Sequence, residues 1–98
     1  MYAILTHVRF KPGQTESARK AAEEHLLPVL KTLPGFLRYY AVQTGENTAV
    51  TISAWQSRQD AEGGLPRVAQ VVQEAAGQYI ENLEREQGEV VLQEPVGS

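Results

Sequence analysis

Residues 33–57, LPGFLRYYAVQTGENTAVTISAWQS, carry two runs rich in β-branched and aromatic residues on either side of Thr44-Gly45-Glu46-Asn47. Runs of this length joined by turn residues predict a hairpin, with strands over Phe36 to Gln43 and Thr48 to Gln56. Pro34-Gly35 ends whatever precedes the hairpin, and Ser57 followed three residues later by Asp60 predicts a helix start behind it. Side chains alternate along a strand, so Phe36, Arg38, Tyr40 and Val42 are expected on one face and Leu37, Tyr39 and Ala41 on the other.

Working upstream, residues 2–10 alternate between Tyr2, Ile4, Thr6, Val8, Phe10 and Ala3, Leu5, His7, Arg9, the period of a strand. Lys11-Pro12-Gly13 stops it. From Thr15, apolar residues recur at three- and four-residue spacing through Ala18, Ala22, Leu26, Val29 and Leu33, an amphipathic helix that also turns His25 toward the sheet. Pro28 lies inside this helix and predicts a kink or a tightened last turn. Downstream of the hairpin, Gly63-Gly64 and Pro66 predict two helical pieces, the second running through Val68, Val71, Val72, Tyr79, Ile80 and Leu83 to Gly88. Glu89 to Gln93 then reads as a last strand before a polar tail, Glu94 to Ser98.

The order β-α-β-β-α-β predicts an α+β, ferredoxin-like domain over residues 1–98, a four-stranded antiparallel sheet with both helices on one face. The other face is expected to carry Leu5, His7, Tyr39, Ala49 and Trp55, too apolar to stay wet in a small protein. A homodimer in which this patch covers its own copy resolves that exposure.

Composition narrows the function. The 98 residues carry 42% hydrophobic and 21% charged side chains and a formal net charge of −3, an ordinary folded chain without the basic footprint of a nucleic-acid binder. No apolar stretch approaches a membrane span, and MYAILTHVRF alternates too strictly for a signal peptide. Cysteine is absent, which excludes thiol catalysis and thiolate metal sites and fits a cytoplasmic setting. Two widely separated histidines supply no metal ligand set.

Three stretches together resemble one known family. Phe10-Lys11-Pro12-Gly13 after the first strand, Pro34-Gly35-Phe36 at the second, and Ser53-Ala54-Trp55-Gln56-Ser57 before a capped helix are similar to the antibiotic biosynthesis monooxygenase group of dimeric α/β-barrel proteins. The resemblance implies a homodimer with a pocket between sheet and helices in each subunit. Some members oxygenate phenolic or polyketide aromatics without a cofactor, and others degrade haem. The haem-degrading relatives carry an asparagine on the first strand and a tryptophan and histidine in the second helical region. Here Thr6 takes the first position, Gly63-Gly64 opens the second region and no histidine follows His25, so haem degradation is not expected.

Oxygenation without a cofactor asks for an apolar pocket, a base or hydrogen-bond partner to help ionise a phenol, and donors for the resulting anion. The candidates are His25 and Tyr40 as catalytic groups, and Thr6, Arg38, Tyr40 and Tyr79 as ligand-binding residues. Leu5, His7, Tyr39 and Trp55 are candidates for the dimer interface. Each has a plainer reading: His25 a helix-edge histidine, Arg38 a snorkelling surface cation, Trp55 an anchor at the sheet edge or dimer seam. A homodimeric, cofactor-independent monooxygenase, or binder, of a small aromatic or phenolic compound is the expectation. A non-catalytic ligand-binding or dimerisation module of the same fold is the alternative, and an isomerase or decarboxylase would use similar groups.

Overall fold

The computed structural model describes residues 1–95. Tyr2–Phe10 form strand β1. Gly13, at φ +77°, turns the chain in the left-handed region that glycine enters without a Cβ clash. Thr15–Ala21 form helix α1, Ala22–Leu26 a wide π turn, and Leu27–Leu30 a last α-helical turn, α2. The hairpin follows as β2, Phe36–Gly45, and β3, Thr48–Trp55. Helix α3, Arg58–Ala76, leads through a 3₁₀ turn at Gly77–Tyr79 into β4, Ile80–Glu89. The strands lie in the order β2-β3-β1-β4, all pairs antiparallel, which is the expected ferredoxin-like α+β sheet.

Three local features depart from the sequence reading. The first is at Pro28, which cannot donate a backbone hydrogen bond and would crowd the carbonyl of Glu24 in a regular helix. The helix opens there instead of tightening: the Leu27 N–H reaches back five residues to the Ala22 carbonyl. In a widened turn, residues four apart stay on one face. Ala18, Leu26 and Leu30 are accordingly buried, with Ala22 half-buried between them, and His25 is left outside.

The second departure is α3, one continuous helix of 19 residues and not two pieces. Ser57 caps it, its hydroxyl accepting the Asp60 N–H at 3.1 Å. Pro66 removes one backbone bond, but Leu65, Val68, Val71 and Val72 pack into or against the core and hold the helix on the sheet. Gly64 is no joint. It is buried against Trp55, and a Cβ there would stand 2.7 Å from Cη2 of the indole.

The third departure is the last strand. Ile80 and Leu83 continue the helical spacing of α3, yet they belong to β4, because residues 82–89 pair across from Arg9 back to Tyr2 on β1. Beyond Glu89, residues 91–93 form no strand, and Val91 and Leu92 are exposed. The expected polar tail is described only as far as Pro95, and its remainder lies outside the described residues.

Trp55 is the centre of the core. It is 1% exposed, meets Phe36 edge to face with ring centroids 5.6 Å apart, and donates its indole N–H to the Ser53 hydroxyl at 2.9 Å. The close approach of α3 at Gly64 predicts opposite outcomes for two neighbouring glycines. Gly64→Ala should lower stability by about 1–3 kcal/mol through overpacking. Gly63→Ala, which meets nothing within 4 Å, should leave it unchanged or raise it by up to about 1 kcal/mol. Urea unfolding of both variants measures the contrast.

Candidate functional site

The inner face of the sheet is set by its register. Tyr2, Ile4, Thr6 and Val8 of β1 stand opposite Trp55, Ser53, Thr51 and Ala49 of β3, so all eight share the face that meets the helices. On β2 the register shifts between Phe36 and Arg38: Phe36 pairs with Trp55, Arg38 with Ala54 and Tyr39 with Ser53. One extra residue at Leu37 reverses the alternation, so Phe36 and Tyr39 both face inward. Ala41 and Gln43 follow Tyr39 on that face, and Arg38, Tyr40 and Val42 lie on the other.

Between this face and the helices lies a cavity of about 420 Å³. Its floor is built of small side chains, Thr6, Ala41, Ala49, Thr51 and Ser53, and part of its roof of Ala18, Ala22, Ala75 and Ala76. Small residues opposite small residues leave the two layers unfilled. Leu26, Leu27, Leu30, Val68, Val71 and Val72 supply apolar walls. The volume and mostly apolar lining match those of small-molecule sites.

Polar groups enter in one band. Ala41, Thr51, Thr6 and Arg85 stand side by side across all four strands, and Tyr39 lies next to this rung, in line with Ser53. Burial pushes the Tyr39 phenol above its ordinary value, and the neighbouring Thr51 hydroxyl offsets part of that rise. It is therefore a neutral donor at physiological pH. At the α1 rim, Arg19 donates to Glu16 and to Glu23, the latter at 2.8 Å. The hydrogen bond from Arg19 holds the Glu16 carboxyl below its ordinary value.

The register redistributes the residues singled out from sequence. Thr6 lines the cavity. Tyr39, Ala49 and Trp55, assigned to the outer face, are on the inner one, and Trp55 is core. Arg38 and Tyr40, assigned to the pocket, lie on the outer face because of the extra residue at Leu37. His25 is exposed beside Glu24, turned out by the π turn. Tyr79 sits in the 3₁₀ turn outside the cavity, where its carbonyl accepts the Lys11 N–H at 2.9 Å. Leu5 and His7 are on the outer face, and His7 bonds Glu86 at 2.8 Å. Thr51 and Arg85 are not singled out by the sequence pattern, the second because the spacing around it fits a helix as well as the strand it belongs to. Among the described residues no cluster of histidine and carboxylate side chains could hold a metal ion. No helix among them is long and apolar enough to cross a membrane.

Comparison with known proteins points one way. The model of the antibiotic biosynthesis monooxygenase family matches residues 1–63. No curated protein sequence matches. Among solved structures, a protein of unknown function from Nitrosomonas europaea superposes with a TM-score of 0.82 at 18% identity, covering 94% of this chain and 90% of its own. SnoaB, a cofactor-independent oxygenase from Streptomyces nogalater, gives 0.77 at 12% identity, covering 96% of each chain. A nipsnap family protein with unknown function from Agrobacterium tumefaciens gives 0.68 at 21% identity, covering 90% of this chain and 86% of its own. At these identities the likeness is one of fold.

The elevated Tyr39 phenol has a measurable signature. Its folded-state value lies above the ordinary 10.0, so its contribution to stability is complete below pH 10 and is lost as pH rises through the folded value. The tyrosinate absorbance of wild type minus that of Tyr39→Phe should titrate with a midpoint above pH 10. Above that pH, wild type should also lose stability faster than the variant.

Proposed function

Since this chain belongs to the antibiotic biosynthesis monooxygenase family, we propose that its cavity binds a small aromatic or phenolic compound and supports its oxygenation without a cofactor. The observation that carries this reading is the band of hydroxyls, Tyr39, Thr51 and Thr6, crossing the floor of a mostly apolar cavity. Apolar walls hold a ring, and hydroxyl donors at one level hold its oxygen substituents. In such a reaction the substrate is the reductant. A ring methylene flanked by aromatic rings gives up four electrons to O₂, one oxygen atom becomes its carbonyl and the other leaves as water. The protein's part is to orient the ring and to stabilise the phenolate or enolate with donors already in place.

The outer face of the sheet fits a homodimer in this reading. Leu5, Tyr40, Val42, Val50 and Ile52 share it, with the His7–Glu86 pair toward β4. Tyr40 and Val42 are 53% and 48% exposed, an apolar patch that a second copy would cover. We place the dimer in the cytoplasm, in keeping with a chain without cysteine. The alternative, a binding module without chemistry, draws on the absence of any histidine from the cavity lining among the described residues.

Thermal shift with phenols, quinones and haem, followed by oxygen uptake on each hit, tests the proposal. A phenol that stabilises the protein and is consumed with oxygen supports the oxygenase, and stabilisation without uptake supports the module. Tyr39→Phe should lower the oxygenation rate about ten- to a hundredfold, the usual effect of losing one hydrogen bond to a developing anion. For the dimer, Ile52→Lys should shift the mass measured by light scattering from two chains to one. A wild-type monomer at micromolar concentration would remove the outer face from the account.

A further inference from the structure

We propose that Arg85 anchors an ionised acid group on the ligand, so that the cavity selects aromatic acids over neutral compounds of the same shape. This rests on the reading of the cavity as a ligand site. Arg85 stands on β4 opposite Thr6, at the β4 end of the rung that runs from Ala41 through Thr51 and Thr6. It lines both the cavity and a more open groove between α3 and β4, the two meeting at Val72, Ile80, Leu83 and Arg85. A ligand ring lying along the floor would therefore point one end at the guanidinium.

The charges nearby leave that guanidinium available. Arg19, the other cation on the cavity lining, is held by Glu16 and Glu23. Glu84 and Glu86 flank Arg85 in sequence, but strand alternation sends them to the outer face, where Glu86 bonds His7. Among the described residues the Arg85 side chain has no ion-pair or hydrogen-bond partner. Its planar fork of donors matches a carboxylate bidentately. Val72, Ile80 and Leu83 lie beside it on the lining and offer apolar contact to a ring, while Arg85 itself is exposed. Neutral ligand oxygens then fall to the hydroxyls of Tyr39, Thr51 and Thr6, and the charged group to Arg85.

Two probes of matched shape test this, 2-naphthoate and its neutral amide, 2-naphthamide, titrated calorimetrically into the full chain. Wild type should bind 2-naphthoate about tenfold or more tightly than 2-naphthamide, since charge-assisted bonds are roughly twice as strong as neutral ones. Arg85→Gln should lose that preference, its affinity falling far more for 2-naphthoate than for 2-naphthamide, and Arg85→Lys should keep part of it. Raising the salt concentration should weaken 2-naphthoate alone. Equal wild-type affinities, or a preference that survives Arg85→Gln, would overturn the anchor and leave the cavity as a ligand site. Binding of neither probe to wild type would overturn both. Arg85 is exposed, and a melting curve for each variant shows that it is folded.

Discussion

Leu37 of β2 is an extra residue between Phe36, which pairs with Trp55 of β3, and Arg38, which pairs with Ala54, and the character of the cavity depends on it. A strand presents alternate side chains to opposite faces, so one additional residue exchanges the faces for everything beyond it. Here it brings both Phe36 and Tyr39 to the helices. Phe36 closes on Trp55 edge to face, and Tyr39 becomes the first polar group inside the cavity. With unbroken alternation, Arg38 would enter the apolar layer, where a guanidinium without a carboxylate partner is costly. The irregularity thus removes a charge from the core and supplies a phenol in its place.

Trp55 translates that pairing into the position of α3. The indole is buried on all sides, and Gly64 is the residue that lets the helix backbone come against it. The contact fixes the roof over the β3 side of the sheet, while the small residues of floor and roof elsewhere keep the layers from closing. A fully packed interior would have nothing to bind, and proteins rarely leave such voids inside. The π turn contributes by holding Leu26 and Leu30 inward and sending His25 to solvent.

Much of the fold was legible in the sequence, because it rests on long regular patterns. The alternation of residues 2–10, the amphipathic first helix and the hairpin around Thr44 to Asn47 are each visible at the level of residue type. What escaped was decided by contacts between distant segments. Nothing in FLRYY marks an extra residue, since the bulge exists only relative to β3. Ile80 and Leu83 fit the helical period as well as they fit a strand, and pairing with β1 settles the matter. Proline at position 28 signalled an irregular helix but not whether the turn would tighten or widen. The candidate residues followed these errors: a phenol and an arginine were expected at the cavity in Tyr40 and Arg38, where the structure places Tyr39, Arg19 and Arg85 on its lining.

The nature of the groups around the cavity bears on how a proton could leave a substrate. Tyr39 holds its proton more firmly than a free phenol, so it donates a hydrogen bond and is a poor acceptor of a proton. Glu16 is held in its ionised form by Arg19, which makes it a weak base as well. Arg85 and the threonines are donors to an anion and do not abstract protons at neutral pH. On the proposed reading, such a site would lower the cost of forming an anion without providing a strong base to form it. The proposed chemistry would therefore suit compounds that are already acidic, such as phenols and enols conjugated to a carbonyl, from which a water molecule can take the proton once the anion has donors waiting. On this argument the difference between turnover and simple retention lies in the acidity of the bound molecule as much as in the protein.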